Sequence, residues 1–393
     1  MESVHEWVAQ LPGLSKTRRE YMVELFSTLL ALQGKANYLN LSRYMDYDER
    51  TLRRHAQQAF PFETLNTQLA AATLSGRCVL AGDATFVYKS GKKTFGLDRF
   101  WNGCASRVER GLEVSVLALI DEHRQAMALT AEQTPVLPDE ASRLTFYLQQ
   151  VKDSQPFWPP GLKWCLFDGF YSKQPFVDGI CELGLEMVSK LRHDADLKYL
   201  YLGEQKPKGR KRKFDGKVYY DEMDRFEPLG ELEPGIHGWS QKVWHVSLKR
   251  VIRVVMLLNA KKPDKQSHVL LFSTDIELTG PEIIALYGSR FAIEFLFRDA
   301  KQYLGFEDCQ ARNQTALDFH FQASLSALNL AKADALRDHE AGQPFVFSMQ
   351  TQNRLSFNEH LMDRFISRFG LDRTLIKSHP AYPDLRKYGA IAS

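Results

Sequence analysis

Between residues 78 and 191 the chain alternates short apolar runs with helical segments, and this alternation restricts the fold more than any other feature. Cys78-Val79-Leu80-Ala81-Gly82-Asp83 is an apolar run ending in an acid, and Thr85-Phe86-Val87-Tyr88 continues it with β-prone residues. Gly111 to Ile120 and Ala126 to Thr130 read as two further strands. Ala141 to Val151 predicts a helix with Leu144, Tyr147, Leu148 and Val151 apolar. Leu162 to Phe167 is a fourth, buried strand with Asp168 at its end. Phe176 to Leu183 predicts a helix stopped by Gly184, and Leu185 to Leu191 a fifth strand. Three meandering strands, a helix, a strand, a helix and a strand define an α/β fold.

A second stretch supplies the remaining chemistry. In Leu286–Leu304, Tyr287, Arg290, Glu294 and Lys301 follow one another at steps of three, four and seven residues. At about 100° per residue they fall in one helical stripe about 60° wide. Phe291, Ile293, Phe295, Leu296 and Phe297 are expected to anchor the rest of the helix in a core. The stripe presents one carboxylate beside two cations and a phenol. A carboxylate can hold a divalent metal and cations can hold phosphates. Taken alone, the pattern equally describes an amphipathic helix with ion pairs on a wet face.

The 393 residues are enough for two or three domains. Residues 1–75 read as helical. Thr17-Arg18-Arg19-Glu20 fits a capping box, and Tyr21, Met22, Leu25, Phe26, Leu29 and Leu30 recur at helical spacing, with Gly34 as a stop. Residues 37–60 predict a short helix, a turn near Asp46-Tyr47 and a second helix from Asp48. That second helix exposes Arg50, Arg53 and Arg54 while burying Leu52, Ala56 and Phe60. This is the outline of a helix-turn-helix, or equally of a helical hairpin with a basic face. Residues 76–194 form the first part of a core, and 195–281 a β-rich insertion. Its expected strands are Lys217 to Tyr220, Lys242 to Ser247, Arg250 to Leu258 and His268 to Ser273. Its run Lys206 to Lys213 carries six cations and no acid, among them Lys208, Arg210, Lys211 and Arg212. Such a run is a solvated loop or a phosphate contact. The core resumes over 282–335, with a helix from Asp318 to Ala333. Residues 336–393 are a C-terminal region with a helix over Leu355 to Phe369 and a loop at Ser378 to Pro383.

Composition narrows the chemistry. No apolar run reaches the length of a membrane span, and the acidic N-terminus is unlike a signal peptide. Five scattered cysteines, never paired as CxxC, fit a reducing cytoplasm and speak against a zinc site. A net charge of +3 leaves any nucleic-acid signal local. Asp83, Asp168 and Glu294 would repel one another if clustered, unless cations lay between them. Oxygen-only ligation suits Mg²⁺ or Mn²⁺. Each acid singly could instead be a turn or cap residue.

The strand and helix order resembles the ribonuclease H-like fold, with the first acid on the first strand and the second just after the fourth. The chain resembles bacterial insertion-sequence transposases of the DDE superfamily, in the Y-R-E-K (insertion-sequence-four) group. Tyr287, Arg290, Glu294 and Lys301 match every gap of that signature. Asp83 with Thr85, and Asp168 with Gly169, Phe170 and Tyr171, match its acid motifs. Many members carry a second Asp after the first, where this chain has Ala84. The resemblance covers about residues 77 to 330. It implies a metal-dependent DNA transposase in which Asp83, Asp168 and Glu294 bind two Mg²⁺ ions. Water cleaves at the transposon end and the freed 3′-OH attacks target DNA. Arg290, Arg298 and Lys301 would hold DNA phosphates and Tyr287 the terminal strand. Trp239 and Trp244 are candidates for stacking a flipped base, or for ordinary β packing. The partners implied are double-stranded DNA and a second copy of the chain, in a homodimer or larger synaptic complex within the bacterial cytoplasm. Two alternatives remain: a DNA-binding protein that kept the fold and lost the chemistry, and a nuclease without strand transfer.

Overall fold

The computed structural model describes residues 2–261, 267–339 and 345–391. The chain opens with helices α1 (Glu2–Ala9), α2 (Lys16–Ala31), α3 (Tyr38–Tyr44), α4 (Glu49–His55) and α5 (Phe62–Thr73). Ser15, rather than Thr17, caps α2, accepting from the Arg18 amide, and the helix closes at Ala31, ahead of Gly34. Asp48 caps α4 through the Thr51 amide. Arg18 fixes the two helices together. Its buried guanidinium donates to the His55 carbonyl at 2.9 Å and the Gln58 carbonyl at 2.8 Å, at the C-terminal end of α4 where carbonyls lack helical partners.

Strands β1 (Val79–Tyr88), β2 (Asp98–Asn102), β3 (Arg107–Ile120) and β4 (Ala126–Gln133) follow, then helix α6 (Glu140–Ser154), strand β5 (Trp164–Leu166), helix α7 (Gln174–Glu182) and strand β6 (Glu186–Leu191). The β1–β3 and β3–β4 pairs are antiparallel, whereas β1–β5 and β5–β6 are parallel. The parallel pairs need crossovers, which α6 and α7 provide. The order of this half is therefore β4-β3-β1-β5-β6.

Strands β7 (Leu197–Leu200), β8 (Phe214–Lys217), β9 (Glu227–Glu233), β10 (Ile236–His245), β11 (Arg250–Asn259) and β12 (Ser267–Ser273) come next. They form an antiparallel system, and β12 returns to pair with β6, Leu270 opposite Leu191. The inserted strands thus extend the edge of the first sheet, and the described strands make one continuous mixed sheet. The strand expected at Lys217 to Tyr220 lies earlier, at Phe214–Lys217. Helices α8 (Gly280–Ser289), α9 (Ala292–Tyr303), α10 (Gln314–Arg337), α11 (Met349–Arg368), α12 (Arg373–Lys377) and α13 (Tyr382–Arg386) complete the chain. The loop expected at Ser378 to Pro383 gives way to α13 at Tyr382. Helix α11 packs on α2, so the two ends of the chain share one helical layer.

The free edge of β4 is closed by side chains. Asn329 of α10 accepts from the Ala128 amide at 3.0 Å and donates to the Ala128 carbonyl at 2.7 Å. Lys332 donates to the Ala126 carbonyl, Asn66 of α5 to the Leu129 carbonyl, and Asp318 accepts from the Gln133 amide. An edge strand that would otherwise invite pairing is thereby satisfied. No helix among the described residues is long and apolar enough to cross a membrane.

Candidate active site

Asp83 lies in the middle of β1, opposite Val116 of β3. Residues directly opposite in an antiparallel pair share a face. The neighbouring Ser115 bonds Gln150 of α6, so Asp83 points to the other face, the one covered by α8 and α9. Parallel pairing sets Ala81 beside Leu166. Asp83 and Asp168 lie two residues beyond that pair, Asp83 in mid-strand and Asp168 just past the end of β5.

Gly82 makes this register possible. A Cβ there would stand 2.2 Å from the Phe167 ring. Phe167 is buried against Tyr171 and Phe176 behind the acids. Asp168 opens a 3₁₀ turn, Gly169–Tyr171, by accepting from the Phe170 amide at 2.9 Å. Ser189 of β6 donates to its carbonyl at 2.9 Å. The second acid is therefore held by the strand next to its own.

Leu286–Leu304 is not one helix. It breaks at Arg290-Phe291, where the amides of Arg290, Ile293 and Glu294 bond three residues back instead of four. Arg290 at this joint is buried and donates to Asp83 at 2.9 Å and to Glu294 at 3.4 Å. Burial pulls its charge down, but Asp83, Tyr287 and Asp168 hold it above its ordinary value. Burial raises the Tyr287 phenol, against the pull of Arg290. Burial also pushes the Asp83 carboxyl up to about 6, and Asp168 pushes the same way while Arg290 opposes both. The Asp83 side chain is 21% exposed, so it reaches solvent rather than being sealed in the core.

Ile293, Leu296 and Phe297 anchor α9 as expected, but Phe291 and Phe295 are each 53% exposed. Phe291 and Phe295 lie with Glu294 and Arg298 on the side of α9 turned away from Ile293, Leu296 and Phe297. Lys301 stays on the Glu294 side of α9, where it donates to the Phe86 carbonyl at 2.7 Å and pairs with Glu307 at 3.0 Å. Arg298 pairs with Asp299 and lies over Phe295, its side chain 60% exposed.

The other candidates lie elsewhere. Arg50, Arg53 and Arg54 are exposed on α4, with Arg53 paired to Glu49 and set over Tyr38. Lys208, Arg210, Lys211 and Arg212 occupy the exposed β7–β8 connection, Arg212 paired with Asp215. Trp239 and Trp244 are half-buried in β10, beside His237 and Phe214. Gly82 and Ser189 were not singled out from the sequence. A glycine directly before an acid, with an aromatic directly before the second acid, was the available signal.

No group of three or more His, Cys, Asp and Glu among the described residues stands close enough to hold a metal ion. Arg290 stands between Asp83 and Glu294 and draws Glu294 to itself. The donors nonetheless fit a hard divalent cation. Asp83 and Asp168 offer oxygen donors alone, with no Cys or His beside them to favour a softer metal.

A family model, the transposase DDE domain, matches residues 74–330, from just before β1 to within α10, and the chain belongs to that family. No curated protein sequence matches the chain. Among solved structures it is similar to the cryo-EM structure of a piggyBac transposase synaptic complex with hairpin DNA. The TM-score is 0.42 at 10% identity, covering 100% of this chain and 82% of that one.

Proposed function

We propose that this protein is a DNA transposase of the bacterial Y-R-E-K insertion-sequence group, cleaving transposon ends and joining them to target DNA. The observation that carries the reading is the set of ion pairs at Arg290, which ties Asp83 to Glu294 beside the strand end that bears Asp168. Family membership and a strand order of β4-β3-β1-β5-β6, that of a ribonuclease H-like core, support it. On this reading residues 76–194 and 282–335 are the catalytic core and 195–281 its insertion. Residues 1–75 bind DNA, and the C-terminal region buttresses them.

Asp83, Asp168 and Glu294 would hold Mg²⁺, or Mn²⁺ in its place. The bound ions would supply activation of the attacking oxygen and stabilisation of the leaving one. The chain's own residues do the rest. Arg290 neutralises the acids in the absence of metal and is freed toward a phosphate when Glu294 turns away from it. Tyr287 lies beside Arg290, near the terminal strand. In cleavage, water adds to phosphorus, loses its proton, and the bond to the 3′ oxygen breaks. In transfer, that 3′-OH loses its proton, its oxygen bonds the phosphorus of a target phosphodiester, and the bond from that phosphorus to the target's own 3′ oxygen breaks, leaving a target 3′-OH. Arg298, Lys301, the α4 arginines and the 206–213 loop would contact phosphates, in a homodimer or larger assembly on DNA.

The test is cleavage of a duplex carrying the element's end, with Mg²⁺ or Mn²⁺, by the wild type and by Glu294→Ala. Cutting by the wild type alone is expected. Equal cutting by both removes Glu294 from the chemistry. End binding without cutting by either leaves a DNA-binding protein of the same fold.

A further inference from the structure

A groove of about 1100 Å³ lies between α3 and α4, the β1–β2 turn and the segment 307–313. Its cations are Lys35, Arg53, Lys89, Lys92, Lys93 and Arg312. Its acids, Glu307 and Asp308, are already engaged, one by Lys301 and the other by the Ala36 amide. Lys35, Lys92, Lys93 and Arg312 are exposed and form no ion pair among the described residues.

The walls are tied to one another. Lys89 donates to the Cys309 carbonyl, the Phe95 amide to the Arg312 carbonyl at 2.8 Å, and Gln133 to the Phe95 carbonyl at 2.6 Å. The turn Ser90-Gly91-Lys92-Lys93-Thr94 therefore projects two lysines from a fixed base. A groove lined by several unpaired cations favours an anionic partner.

β1 links this groove to the acids. Asp83 and Lys89 are six residues apart on or beside one strand, about 20 Å at the rise of an extended chain. That distance spans about six base pairs of duplex. Lys301 meets the Phe86 carbonyl between the two, and Arg53 of α4 lines the groove.

Resting on the reading above, we infer that this groove is a second DNA contact, gripping the phosphate backbone of duplex DNA away from the acids, with Lys92 and Lys93 as its principal cations.

The test uses the full chain and a fluorescein-labelled duplex of mixed sequence, titrated from 50 to 200 mM salt. Lys92→Ala/Lys93→Ala is compared with wild type and with Lys152→Ala/Lys387→Ala, which removes the same charge from exposed sites elsewhere. A melt of each variant verifies folding. Each phosphate contact adds about 0.9 to the salt slope, so the groove variant is expected to lose nearly 2. Its deficit against wild type then shrinks about tenfold across the range. The control should keep the wild-type slope. An unchanged slope in the groove variant, as an acidic protein ligand would give, overturns this inference alone. An equal loss in the control also overturns it, since net charge then explains the effect. A wild type that binds no duplex overturns the proposed function as well.

Discussion

At the scale of single residues, two small features hold the site. Gly82 lets the Phe167 ring pass 2.2 Å from where a Cβ would stand. Gly82→Ala must displace that ring and with it the strand end leading to Asp168. Overpacking of this kind costs about 1–3 kcal/mol, so urea unfolding should shift to lower denaturant by that amount. Arg18 is the other. Its guanidinium satisfies carbonyls of His55 and Gln58 and lies 5.2 Å from the Phe319 ring centre. Arg18→Ala leaves the Gln58 carbonyl without its donor and the His55 carbonyl with the Gln58 amide alone, and is expected to cost about 1–3 kcal/mol in the same assay. Both residues stood in plain view in the sequence. Arg18 read there as part of a helix cap, because nothing local announces that its charge will be buried against the end of another helix.

Among the elements, α10 and β4 depend on each other. Asn329 takes both the amide and the carbonyl of Ala128, and Asn329→Leu would orphan both. A loss of about 2–4 kcal/mol is expected, with amide exchange at Ala128 speeding up before the rest of β4. Lys332, one turn on, is buried with its ammonium on the Ala126 carbonyl. Burial lowers it to about 8, partly offset by Asp299. The unfolded chain keeps this proton to about pH 10.4, so between pH 8 and 10 the unfolded state binds more protons than the native one. Stability should therefore rise with pH in that window, by at most about 1.4 kcal/mol per unit. Lys332→Met should flatten this part of the profile. The elements of the core were legible from periodicity: β1, β3, β4, α6, β5, α7 and β6 all fall where their patterns indicate. Leu286–Leu304 was not, because a uniform helical pattern carries no sign of a break. The break comes from Arg290, whose ion pair with Asp83 reaches across to another element.

For the molecule as a whole, the sheet is the organising body, and its far edge carries the basic connection. Lys208, Arg210 and Lys211 are exposed there and form no ion pair among the described residues. Replacing the three with serine should leave unfolding unchanged within about 0.5 kcal/mol, since exposed loop positions contribute little. If the loop meets DNA, duplex affinity and its salt slope should both fall. Unchanged affinity would make it only a solvated connection.

What the sequence by itself determined was the local order: which runs of the core are strands, which are helices, and that Asp83 lies on the first strand and Asp168 after a later one. These follow from period and capping, both short-range. What only the tertiary structure decided was how distant parts meet. It joined β12 to β6, so that the insertion extends the core sheet. It broke the expected single helix into α8 and α9 at Arg290 and set Lys301 against the Phe86 carbonyl of β1. It also gathered cations from four separate segments, at Lys35, Arg53, Lys89 to Lys93 and Arg312, into one groove. The physical reason is the same in each case. Strand pairing, a buried ion pair and a charged cleft are contacts between residues far apart in the chain, and no periodicity within one segment encodes the partner it will find.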